Sequence, residues 1–66
     1  MFNLLNCKIA DRIIDALSGT GPEGRARKAV ARYRKYPNDT VAAEAVELLN
    51  ALDESKLIEL KQAARV

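Results

Sequence analysis

Apolar residues recur at helical spacing along nearly the whole chain. In the first stretch Leu5, Ile9, Ile13 and Leu17 fall on one line, flanked by Leu4, Ala10, Ile14 and Ala16. That period predicts a helix over about residues 3–18, with Asn3 or Asn6 capping its start by accepting a backbone N–H. Lys8, Asp11, Arg12 and Asp15 fall on its polar face. The apolar stripe is wider than a single neighbouring helix requires, which places this segment at the centre of the fold or at a seam between two copies.

Ser18-Gly19-Thr20-Gly21 ends the first helix, because glycine enters left-handed backbone angles without a Cβ penalty. A second helix over 22–36 follows. Thr20 or Gly21 caps it, Pro22 presets its first turn and Glu23 complements its positive end. Its apolar stripe is thin: Ala26, Ala29, Val30 and Tyr33. Pro37 stops it, and Asp39 is the expected cap of a third helix over 40–52 that buries Val41, Ala45, Leu48, Leu49 and Leu52 and exposes Glu44 and Glu47. At 100° per residue, the stripe centred on Leu49 and Leu52 rotates by roughly 100° before Leu57, Leu60 and Ala64. A break at 53–56, with Asp53 as a new cap, gives a fourth helix over 55–65; one long kinked helix is the alternative. No five-residue alternation competes as a strand. The expected architecture is all-α, a small three- to four-helix bundle forming a single domain, 1–66.

Length sharpens this picture. A chain of 66 residues and 7.3 kDa hides only about 60% of its unfolded surface. That excludes barrels and doubly wound sheets, and makes self-association, most simply a homodimer, the expected support for a small core. Cys7 is the only cysteine and there is no histidine, so no internal disulfide can form and the usual zinc and acid–base side chains are missing. Neither a metal nor a cofactor is expected. Cys7 reads as a small buried thiol beside the first stripe. The uncharged stretch 1–7 is too short for a signal peptide, and apolar runs elsewhere stop at three residues. The expectation is a cytoplasmic protein with no membrane role.

The net charge of +2 conceals an uneven distribution. Residues 22–36 carry Arg25, Arg27, Lys28, Arg32, Arg34 and Lys35 against Glu23, a local +5, and the rest of the chain is −3. On a helical wheel Arg27 and Arg34 share one flank, Lys28 and Lys35 a second, Arg25 and Arg32 a third. Solvated helices normally mix signs so that pairs form one turn apart. This one does not, and it supplies the candidate binding residues: those six cations and Tyr36. Tyr33 is expected to pack into the thin stripe.

Gly19-Thr20-Gly21-Pro22-Glu23-Gly24 has the letters of a dinucleotide fingerprint and the glycine spacing of a Walker A loop. Both chemistries need features that are missing here: a preceding strand, or a Lys-Ser/Thr where Arg25-Ala26 stands. The segment reads as a turn between helices, with a weak anion site at the helix start as the alternative. The carboxylate pairs Asp11/Asp15 and Glu44/Glu47 fall on solvated faces rather than in a cleft, so catalysis is not expected. The functional expectation is a small regulatory or adaptor protein that binds a protein partner through an apolar helix face and the basic helix. The alternative is nucleic-acid binding through 25–36.

Overall fold

A computed structural model describes residues 2 and 4–65. It contains four α-helices: α1 Cys7–Ile13, α2 Gly21–Lys35, α3 Asp39–Asn50 and α4 Glu54–Ala64, with a 3-10 turn, Ile14–Ala16, continuing α1. No strand occurs among the described residues, so the chain is all-α.

The first helix is shorter than its apolar pattern suggests. Residues 4–6 are not helical, and the expected start at residue 3 and the alternative cap Asn3 lie outside the described residues. Asn6 is the cap: its backbone is extended and its Oδ1 accepts the Ile9 N–H at 3.0 Å. At the other end the helix tightens into the 3-10 turn and stops at Leu17, whose backbone is extended. Most of the wide stripe is used, with Ile9 and Ala16 half-buried and Leu4 left exposed. Phe2, Leu5, Ala10, Ile13, Ile14 and Leu17 are all buried, and α1 packs against both α2 and α4. Of the two places open to this stripe, it occupies the centre of the fold.

The break after α3 falls where the rotation of the stripe puts it. Leu52 donates its N–H to the Leu49 carbonyl at 3.1 Å, closing α3, and Leu57 donates to the Asp53 carbonyl at 2.9 Å, opening α4. Asp53 stands at the cap position but its side chain makes no capping bond. Leu49, Leu52, Leu60 and Ala64 are buried and Leu48 and Leu57 half-buried, so both stripes reach one core despite facing different ways. The most extensive helix pairing is α2 on α3. The thin stripe of α2 allows it: Ala26, Ala29, Val30 and Tyr33 are all buried, and alanines let the two backbones approach.

Two expectations are corrected. Asn38, not Asp39, caps α3: its N–H bonds the Tyr36 carbonyl at 2.8 Å in a tight turn after Pro37, and its Oδ1 takes the Val41 N–H at 2.9 Å. Asp39 becomes the first helical residue, where its charge suits the positive helix end. Cys7 is exposed rather than buried; it is the first residue of α1, where no earlier helical turn covers it.

Two glycines in the first turn of α2 are demanded by geometry. Gly21 has φ +65, a conformation costly for other residues. At Gly24 a Cβ would sit 2.8 Å from the carbonyl carbon and oxygen of Gly19, both backbone atoms. At Gly19 a Cβ would meet nothing within 4 Å. Gly24→Ala is therefore expected to destabilise the fold by about 1–3 kcal/mol, the usual range for overpacking, and Gly19→Ala far less. Urea denaturation of the two variants measures the difference; equal costs would mean that the turn relaxes without loss.

Candidate nucleic-acid interface

The cations divide by what they touch. A helix leaves its last carbonyls without intrahelical partners, and three side chains collect those groups here. Arg12 Nη1 donates to the Ala64 carbonyl at 3.1 Å, at the end of α4. Arg27 Nη1 donates to the Leu17 carbonyl at 3.2 Å, and Lys56 Nζ to the Ala16 carbonyl at 2.6 Å, both at the end of the 3-10 turn. Arg34 Nε pairs with Asp11 Oδ1 at 2.8 Å. That pair is half-exposed, so it orients α2 against α1 more than it stabilises the fold.

Two of the six basic residues singled out in α2, Arg27 and Arg34, are thus turned towards the chain's own first segment. The flank they share on the helical wheel is the one beside α1. Arg25, Lys28, Arg32 and Lys35 are exposed, and none makes an ion pair or side-chain hydrogen bond among the described residues. At 100° per residue they fall within an arc of about 80°, a stripe about 15 Å long at 1.5 Å per residue. Tyr36 stands at its end, 53% exposed, with the Lys35 ammonium 5.5 Å from its ring centroid, inside cation–π range. Tyr33 is buried in the apolar stripe as expected.

The α1–α2 connection follows a helical turn, not a strand, and its own side chains occupy the start of α2. One Glu23 oxygen accepts the Ser18 N–H at 3.2 Å and meets Lys56 Nζ at 3.2 Å. Lys56 also pairs with Glu59 at 2.7 Å. A resident carboxylate already uses the positive helix end that an incoming anion would need. The acids of the sequence-level pairs, Asp11, Asp15, Glu44 and Glu47, are all exposed. Among the described residues no helix is long and apolar enough to cross a membrane. Comparison with protein-family models, with curated proteins and with solved structures finds no match to this chain.

The Ser18 N–H and the Lys56 ammonium hold the Glu23 carboxyl below its ordinary value of 4.5. The Glu59 and Glu23 carboxylates raise Lys56 above its ordinary 10.5. The stabilisation tied to Glu23 is complete above its unfolded value and is lost as the pH falls through the lower folded one. That tied to Lys56 is complete below its own unfolded value and is lost as the pH rises through the higher folded one. Thermal stability is accordingly expected to be flat between these limits and to fall beyond each. Glu23→Gln should shrink the acid limb and leave the alkaline one largely in place. Lys56→Met, which keeps the apolar stem but strands the Ala16 carbonyl, should cost about 1–3 kcal/mol at neutral pH. Tm measured across pH for both variants tests the assignment; unchanged acid limbs in both would sink it.

Proposed function

We propose that this chain is a small non-enzymatic binding protein that docks a nucleic-acid backbone along the outer face of α2. One observation carries the reading: Arg25, Lys28, Arg32 and Lys35 form a continuous exposed line, while Arg12, Arg27, Arg34 and Lys56 are occupied within the chain. The line has no apolar core. Protein interfaces draw their affinity from buried apolar and aromatic anchors, and among the described residues Tyr36 is the one exposed large apolar side chain adjoining α2 in sequence. Phosphate binding needs no such core, because release of condensed counterions supplies the free energy. Tyr36, next to Lys35, supplies an aromatic face for an unpaired base.

The protein-partner reading drew half of its support from the apolar face of the first helix, and that face is covered by α2 and α4. Self-association loses the same support. An acidic protein surface is the second reading for the basic line. It is favoured by Glu44 and Glu47, exposed on α3, the helix paired with α2, where they would repel phosphates approaching from that side. A cytoplasmic location belongs to this proposal, and a single cysteine with no disulfide framework is compatible with it.

Titration with a short DNA duplex and a single-stranded oligonucleotide is expected to give salt-sensitive binding. With about four phosphates engaged, the logarithmic salt slope should be about −3 to −4 on duplex, roughly a hundredfold loss between 50 and 200 mM salt. Arg25→Glu/Lys28→Glu/Arg32→Glu/Lys35→Glu should abolish binding with little change in Tm. Arg27→Ala/Arg34→Ala should lower Tm and leave most of the binding. Binding that survives the fourfold reversal, or that follows Arg27 and Arg34 instead, would overturn the reading. Binding to an acidic helical peptide but to neither oligonucleotide would install the second one.

A further inference from the structure

A second open surface lies on α3 and is opposite in charge. An open groove of about 440 Å³ runs between the N-terminal segment and this helix. Leu4, Leu5, Ala42, Ala43 and Val46 give it apolar walls, and Asp39 and Glu47 belong to its lining. Eight positions separate the two acids, about 12 Å along the helix axis. Neither forms an ion pair among the described residues. Leu4 is 77% exposed, the most open large apolar side chain described. The N-terminal segment is held in place beside α3: Phe2 N–H donates to Asn50 Oδ1 at 2.8 Å and Asn50 Nδ2 donates to the Phe2 carbonyl at 2.9 Å. One wall is thus clamped to the helix that forms the other.

We infer that this groove docks a basic amphipathic helix of another protein. Such a helix would lay two apolar side chains, one turn apart, between Leu4 and the Ala42–Val46 face, and direct a Lys or Arg towards Asp39 and another towards Glu47. Alanines at 42 and 43 let an incoming backbone approach closely, as helix-in-groove recognition requires. Charge complementarity selects this occupant. The paired carboxylates repel anionic partners and reward cations that flank an apolar face. A second copy of the chain fits less well. Among the described residues its exposed large apolar side chains besides Leu4 are Tyr36 and Ile58, which lie on different segments and cannot enter as neighbours on one helix. The inference does not depend on the nucleic-acid reading, since it uses none of the residues of the basic line.

The test uses a synthetic helical Leu/Lys peptide of amphipathic repeat, and its Leu/Glu counterpart, titrated into the isotope-labelled full chain. The Leu/Lys peptide is expected to shift the resonances of Leu4, Ala42, Ala43 and Val46, and the Leu/Glu peptide is not. Glu47→Lys alone, and with Asp39→Asn, should weaken Leu/Lys binding by about tenfold in total and admit the Leu/Glu peptide. Val46→Asp should remove the binding while circular dichroism reports the fold intact; should that variant not fold, the two charge variants carry the test. Equal binding by wild type and charge variants, or shifts confined to other faces, would overturn the inference. So would sedimentation showing that the chain alone dimerises through this groove. Loss of oligonucleotide binding would leave these outcomes unmoved.

Discussion

A backbone carbonyl withdrawn from water must find a donor, and a four-helix chain of this size ends its helices close to its own core. That constraint organises the molecule. The carbonyls of Ala16, Leu17 and Ala64 lie at the ends of the 3-10 turn and of α4, and Lys56, Arg27 and Arg12 reach them from other elements. Each reach crosses the fold: Lys56 ties α4 to the α1–α2 connection, Arg27 ties α2 to the same connection, and Arg12 ties α1 to the end of α4. A charged donor on a neutral carbonyl is worth more than a surface ion pair, so these bonds fix the helices more firmly than the Arg34–Asp11 pair does. Within α2 they occupy Arg27, while Arg34 pairs with Asp11, and Arg25, Lys28, Arg32 and Lys35 are left exposed on the outer line.

Much of this architecture is legible in the letters, and what is legible is local. Residue spacing gives α2, α3 and α4 to within a residue or two at each end. The rotation between Leu52 and Leu57 places the break between the last two helices without any glycine or proline to mark it. Tyr33 follows from the thin stripe. What escapes is set by partners far away in sequence. The carbonyl contact of Arg12 spans 52 positions, that of Lys56 spans 40, and the Asn50 clamp on Phe2 spans 48. No periodicity announces them. The same limit applies to Arg27 and Arg34: a wheel drawn for α2 alone gives them a flank of their own but does not say that this flank faces α1.

The errors at the ends of elements have a different origin. Asn38 and Asp39 are nearly equal as capping residues, so composition could not choose between them; the turn after Pro37 did. The first helix starts late because an apolar pattern reports burial rather than conformation. Phe2 and Leu5 are buried, yet neither belongs to α1. Neither residue of this N-terminal segment is helical, and the Phe2 backbone N–H and carbonyl bond the Asn50 side chain rather than a helical turn. The same segment leaves Leu4 outside, between two buried neighbours in the pattern, and so forms the wall of the α3 groove.

The pairing of α2 with α3 gives the molecule two faces of opposite character. Burying the alanine-rich side of α2 against α3 leaves each helix an outer surface, one basic and nearly devoid of apolar side chains, the other apolar and acidic. These surfaces suit different physics. On the proposed reading, counterion release would make binding at the first sensitive to salt and tolerant of sequence, whereas a helix docked on the second would need a shaped, dry contact governed by packing. A small chain cannot supply both from one face, because the acids that select a cationic helix would repel phosphates. Separating the two charges across the α2–α3 pair removes that conflict.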